Sequence, residues 1–191
     1  METTLAAEPV PVTAAAAGEL ADFDAVVRDH QPVIFRFLLA SLREREPAEN
    51  LTQECFLRAY QARRSFRGEA SVRTWLMRIA LNLLSDHRKS ARLRFWRRAA
   101  ETSLDIEFTG DWLADRHSSP EAEASAREQV RAVWRAAAEL SERQRTVFLL
   151  RFVEEMEIRE IAAAVGLQEG TVKAHLFRAV DAVRKKIGDA K

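Results

Sequence analysis

Apolar residues recur along this chain at spacings of three and four, and the alternation of a half-buried strand is nearly absent. The first helical block spans about Leu20 to Leu42, where Phe23, Val26 and Val27 share a face and Ile34, Leu38 and Leu42 continue it. Pro32 either starts a second segment there or kinks one long helix. A second block runs from Pro47, well suited to a first helical turn, to about Arg64, on a stripe of Leu51, Cys55 and Ala59 with Phe56 and Tyr60 beside it. Arg58 falls off that stripe. After the basic corner Arg63-Arg64-Ser65-Phe66-Arg67-Gly68, Ser71 can cap a third helix reaching about Ser90, with Leu76, Ile79, Ala80, Leu83 and Leu84 inward.

Periodicity fades over 99–118 and returns at Ser119-Pro120, a cap followed by proline at the first helical position. That helix runs to about Glu139. Ser141 and Gln144 form a capping box for the next, which buries Val147, Leu150 and either Phe148 or Phe152. A short helix from about Glu157 to Val165 ends at Gly166, and a last one covers about Glu169 to Ile187. Its inward stripe is Val172, Leu176, Val180, Val183 and Ile187. Two helices joined by a glycine corner form a helix-turn-helix, whose second helix enters the major groove of DNA. The predicted fold is all-α: a tail over 1–19, a helical domain over 20–98, an acidic flexible linker over 99–118 and a helix-turn-helix domain over 119–188.

The net charge of +1 says little about partners, whereas its distribution says more. Met1–Val27 carries acids and no base, and His87–Arg98 carries Arg88, Lys89, Arg92, Arg94, Arg97 and Arg98 and no acid. Ala99–Glu128 sets eight acids against Arg116 and Arg127. The linker reads as a solvated tether, though Leu104, Ile106, Phe108 and Trp112 are apolar enough to rest on a partner. A lone cysteine, Cys55, allows no internal disulfide and points to a reducing compartment. No basic leader or apolar run of about 18 residues is present, so neither a secretory signal nor a membrane span is expected.

On the last helix Thr171, Lys173, Ala174, His175, Phe177 and Arg178 lie off the apolar stripe, in the early turns where recognition helices touch bases. Lys173 and Arg178 can reach guanine edges or phosphates, and Ala174 can meet a thymine methyl. Arg184, Lys185 and Lys186 follow as backbone ligands. In the first domain, arginines interleave with Phe66, Trp75, Phe95 and Trp96, a composition suited to a single strand with stacking bases. Trp75 borders the apolar stripe and reads as core, which leaves the Phe66 corner as the candidate base pocket.

The stretch PAENLTQECFLRAYQARRSFRGEASVRTWLMRIALNLLSDHRKSAR resembles region 2 of the sigma-70 family, and LSERQRTVFLLRFVEEMEIREIAAAVGLQEGTVKAHLFRAV resembles region 4. With nothing but a linker between them, the chain is similar to the extracytoplasmic-function group. The resemblance implies a transcription initiation factor that binds core RNA polymerase, directs it to minus-10 and minus-35 promoter elements and assists melting. It implies duplex reading at minus-35 by Thr171, Lys173, Ala174, His175, Phe177 and Arg178. It implies contacts with the minus-10 non-template strand by Arg67, Gly68, Glu69, Ala70, Ser71, Arg78, Asn82, Asp86, His87 and Arg88. Docking on polymerase falls to Asn50, Leu51, Gln53, Glu54, Phe56 and Leu57. The expected location is the bacterial cytoplasm, and an anti-sigma factor is the implied regulator.

The chain departs from the family pattern in three places. Asn50 replaces the usual Asp, Glu157 the usual Ser or Thr cap, and Ala174-His175 the usual Ser-Arg, which bears on minus-35 specificity. An enzyme is the poorer reading. His30, His87, His117 and His175 are scattered, no phosphate-binding loop or metal spacing occurs, and Ser85-Asp86-His87 cannot form a triad as helix neighbours. No catalytic residue, metal or cofactor is expected. A stand-alone repressor leaves the first domain without a role, and an adaptor would bind partners without directing transcription.

Overall fold

Helix propensity and caps account for most of the architecture. The computed structural model describes Leu20, residues 22–98 and residues 120–188, with side chains placed in all of these except 91–98, 120–127 and 129. The expected N-terminal tail and acidic linker lie outside the described residues, as do the side chains of Phe95 and Trp96. Helix α1 spans Phe23–Leu42, α2 Arg45–Ala62 and α3 Val72–Arg98, with a 3-10 turn at Arg63–Ser65 between α2 and α3. Helix α4 spans Pro120–Ala138, α5 Glu142–Phe152, α6 Ile158–Val165 and α7 Glu169–Gly188. No strand occurs among the described residues.

Helix α1 starts where the Asp22 carboxylate accepts a hydrogen bond from the Ala25 N–H at 3.0 Å. Pro32 sits exposed inside this one helix and does not split it; the missing hydrogen bond falls on the solvent side. Ser71 caps α3 by accepting from the Thr74 N–H at 3.2 Å. That helix continues to Arg98 rather than stopping near Ser90, because Arg, Lys, Leu and Ala favour helix and no Gly or Pro intervenes. Helix α5 begins with the Gln144 side chain accepting from the Ser141 N–H at 3.2 Å. Arg145 reaches back to the end of α4, donating to the carbonyls of Ala137 and Leu140 at 3.1 and 3.3 Å and also to that of Ala138. Gly166, at φ 68°, supplies the left-handed residue that ends α6 and turns the chain into α7.

Helices α1, α2 and α3 pack together, and so do α4, α5, α6 and α7. The halves are not independent. One apolar cluster runs from Ile34, Phe37, Leu38, Cys55, Leu76 and Met77 into Val147, Leu150, Met156, Ile161 and Val172. Helix α3 packs on α6, and α1 on α5. A smaller cluster of Ala136, Ala137, Leu140, Phe148, Ala179 and Val183 ties α4 and α5 to α7. The inward stripe of α7 therefore passes through Ala179, fully buried, while Val180 is only half-buried. On α5, Phe148 goes inward and Phe152 stays 53% exposed.

Candidate nucleic-acid interface

Helix α7 presents its charged side to solvent. Glu157 and Ile158 open α6, with the Glu160 carboxylate accepting from the Glu157 N–H at 2.9 Å, so the position that lacks Ser or Thr still has half of a capping box. Across the Gly166 corner, Val172 anchors α7 in the core, and Thr171, Lys173, Ala174, Phe177 and Arg178 are exposed. Phe177 is 76% exposed, an unusual position for an aromatic ring with no partner to cover it. His175 is the exception in this row. It is half-buried, and its Nδ1 is enclosed without a hydrogen-bond partner. It thus points partly inward where its neighbours face out. The basic end of the helix is engaged within the chain: Lys185 pairs with Asp181 at 2.9 Å and Lys186 with Glu139, while Arg184 is exposed.

The second candidate face lies on α3 and the loop before it. Gly68, at φ 71°, allows the tight loop Arg67–Ser71. Arg67, Gly68, Glu69 and Ser71 are exposed, Ala70 is half-buried, and Arg67 approaches Glu69 at 3.9 Å. Behind the loop is a cavity of about 390 Å³ lined by Phe66, Arg67, Glu69, Thr74, Trp75 and Arg78, among others. Phe66 is 5% exposed and packs against Trp75 at a ring-centroid distance of 5.0 Å. The Phe66 corner does line a cavity, with Phe66 itself buried, and half-buried Trp75 both packs against the core and shares the cavity wall.

One turn further along α3, the other half of the molecule borders this face, although Arg78 and Asn82 stay exposed. Ala163 of α6 closes the cavity beside Arg78. Asn82 and Ser85 line a second cavity of about 330 Å³ with Glu142, Arg143, Thr146, Ala164 and Leu167. Arg88 pairs with Glu142 at 3.0 Å and donates to the Ser41 carbonyl at 3.1 Å. Asp86 is exposed and His87 half-buried. The structure thus sets α5 and α6 along the edge of the α3 face, near Ser85 and Arg88, and leaves Arg78, Asn82 and Asp86 exposed.

The outward side of α2 is a third surface. Asn50, Gln53 and Leu57 are exposed at helical spacing, with Glu54 half-buried and accepting from Arg58 at 2.7 Å. Leu57 is 52% and Tyr60 47% exposed, two apolar groups on one stripe. Tyr60 is held by an edge-on contact with Phe23 at 5.3 Å and by Arg63, whose guanidinium lies 3.6 Å from the ring centre. Leu51 is half-buried. Phe56 belongs to the core at 7% exposure, so it shapes α2 from behind and offers nothing to a partner. The Cys55 thiol donates to the Leu76 carbonyl at 3.5 Å, and burial pushes its pKa up to about 12, which keeps it protonated and inert.

No group of acids, histidines and cysteines able to hold a metal occurs among the described residues, and no described helix is long and apolar enough to cross a membrane.

Residue-level signals had missed Glu154, in the turn between α5 and α6. Its side chain is fully buried and accepts from Arg36 Nε at 3.0 Å and Nη2 at 2.8 Å. Hydrogen bonding to that carboxylate raises the Arg36 pKa, against the opposing pull of burial. Arg73 of α3 adds a contact at 3.4 Å. No local motif marks such a residue, because its first partner lies 118 positions away.

Comparison with known proteins fits this geometry. Residues 26–94 match the family model for sigma-70 region 2, and residues 130–183 that for sigma-70 region 4. The RNA polymerase sigma-H factor of Pseudomonas aeruginosa is 33% identical over 172 residues, covering 89% of this chain and 88% of that protein. The extracytoplasmic-function (ECF) factor SigL of Mycobacterium tuberculosis is 31% identical over 174 residues, covering 91% and 93%. Among solved structures, the fold is similar to that of the sigma factor RpoE of Bartonella quintana in complex with the anti-sigma factor NepR. The TM-score is 0.67 at 21% identity, over 87% of this chain and 97% of that one. It is also similar to CnrH in complex with the cytosolic domain of CnrY, with a TM-score of 0.63 at 20% identity over 93% and 94%.

Proposed function

Since the chain belongs to the sigma-70 family, in its extracytoplasmic-function group of transcription initiation factors that direct RNA polymerase to promoters, we propose that it divides promoter recognition between α7 and α3. Helix α7 reads minus-35 duplex through Thr171, Lys173, Ala174, Phe177 and Arg178, with His175 shaping the helix surface from its half-buried position. Lys173 and Arg178 supply charge to guanine edges or phosphates, and Phe177 gives an apolar contact to a base edge. The observation that carries this reading is the exposed row itself. Among the described residues, neither Lys173 nor Arg178 is in a hydrogen bond or ion pair, so both are free for DNA.

The minus-10 non-template strand falls to Arg67, Gly68, Glu69, Ser71, Arg78, Asn82, Asp86 and Arg88. The cavity between Trp75 and Arg78 is the place for a base turned out of the stack. Flipping costs a few kcal/mol, which stacking and the basic loop offset. Polymerase docks on the outer α2 stripe of Asn50, Gln53, Glu54 and Leu57, with Leu51 and Phe56 supporting it from inside. The role is binding and positioning rather than catalysis, and its setting is the bacterial cytoplasm. An anti-sigma factor is the proposed regulator, in keeping with the complexes of RpoE with NepR and of CnrH with CnrY.

The test is run-off transcription with core polymerase on promoters mapped after overexpression. Start sites that depend on the added chain are expected. A chain that neither co-purifies with core polymerase nor shifts start sites refutes the reading.

A further inference from the structure

A glutamate with no exposed side-chain surface is costly to bury, and it persists only where cations meet it. Glu154 belongs to the second half of the molecule, and both of its cations belong to the first. Arg36 comes from α1 as a two-pronged donor, and Arg73 comes from α3, donating also to the Glu154 backbone carbonyl. The turn that carries the carboxylate is itself held firmly. Glu154 N–H donates to the Leu149 carbonyl at 3.1 Å, Met156 N–H to that of Leu150 at 3.0 Å, and Arg151 to the Met156 carbonyl at 3.1 Å. Glu155 takes a left-handed φ of 52° without being glycine, a conformation kept only where its surroundings enforce it. Across the same junction, Arg88 pairs with Glu142, and Arg43 donates to the Trp134 carbonyl at 3.2 Å.

We propose that Glu154 is a latch: gripped by Arg36 and Arg73, it holds the two halves in a closed form in which α5 and α6 crowd the Asn82–Ser85 face of α3 and tie up Arg88, and release of this carboxylate is a step toward promoter binding. The proposal rests on the minus-10 role of α3 given above. Burying the carboxylate offsets much of the attraction of its half-exposed cations, so the pair adds little net stability, yet leaving that carboxylate short of a partner is costly. Such a pair selects one arrangement without making it irreversible. The grip is also incomplete, since Arg73 Nε is buried without a partner. In an opened chain, water solvates all three groups.

The test uses the full chain with dyes on cysteines introduced by Glu46→Cys on α2 and Arg131→Cys on α4, both at exposed positions, while buried Cys55 stays unlabelled. Energy transfer reports the ratio of open to closed molecules. Glu154→Gln removes the charge that Arg36 and Arg73 meet, and Arg36→Gln leaves the buried carboxylate with Arg73 alone, in both cases only in the closed form. Each is expected to raise the open fraction by about tenfold or more with helical content intact. Transcription is measured in parallel with saturating core polymerase, where the variants are expected to match the parent. Energy transfer unchanged in both variants overturns the latch, and so does loss of helix in both, which makes Glu154 a structural residue only. A parent chain inactive in transcription defeats the sigma reading instead, and the latch then stands or falls on energy transfer alone.

Discussion

Helices α7 and α3 carry similar inventories of arginine, small polar residues and aromatic rings, yet the fold treats them differently. The exposed row of α7 looks into solvent, with Lys173 and Arg178 unengaged among the described residues. On α3 the end of the face is engaged: Arg88 is paired with Glu142, and Ser85 and the still exposed Asn82 share a cavity with α5 and α6, which narrows the room for a strand there. The difference teaches that charge pattern identifies a nucleic-acid face without saying whether it is available. Availability is a tertiary property, set here by what the second half of the chain packs against.

Substitutions on the two sides of one helix give the largest predicted contrast. Phe56→Ala empties a core position and should cost about 3–5 kcal/mol by chemical denaturation. Leu57→Ala, at the next residue, should change stability by less than about 0.5 kcal/mol while weakening core-polymerase binding in a pull-down. Equal effects on stability would mean that α2 has a different register. On the open face, Lys173→Ala and Arg178→Ala should each weaken minus-35 duplex binding. The loss is about 1–3 kcal/mol for a bidentate base contact, whereas loss of a phosphate contact lowers the salt slope by about one. If neither variant alters promoter binding, α7 is not the reading helix.

These contrasts also mark what was legible beforehand. Local chemistry placed the caps at Ser71 and Ser141, the corner at Gly166 and the exposed row of α7, because each depends on residues within four positions of one another. Phe56 was harder, since it and Leu57 are adjacent and both apolar, and only the packing of α2 against α1 and α3 decides which goes inward. Ala179 lost to Val180 in the sequence for a similar reason: both fit a helical period, and the larger side chain looked the better core residue. The Arg36–Glu154 pair and the cluster shared between the halves are long-range and have no period at all.

A smaller effect is expected from pH. His30 lies in a groove with Asp29, Arg36, Arg73, Glu154 and Glu155, near the junction of the halves. Burial lowers its pKa below the ordinary 6.5, Arg73 lowers it further, and Asp29 opposes both. The folded form therefore binds fewer protons than the unfolded one just below that value. Stability should be complete above about pH 6.5 and decline as the pH falls below it. Thermal melts between pH 7.5 and about pH 5.5 should show that decline, reduced in His30→Gln. A variant with the same slope as the parent removes His30 from the account. Smallest of all is the predicted reactivity of Cys55. With its pKa pushed up to about 12, it should resist a thiol reagent at neutral pH until the chain is denatured.

The comparison between the faces is most directly decided by measuring how the free chain binds two probes taken from a mapped promoter: the minus-35 duplex and the minus-10 non-template strand. The account predicts salt-dependent binding of the duplex by the free chain, with the minus-10 strand bound only once core polymerase is added. Equal binding of the minus-10 strand with and without polymerase would show that α3 is open from the start and would contradict it.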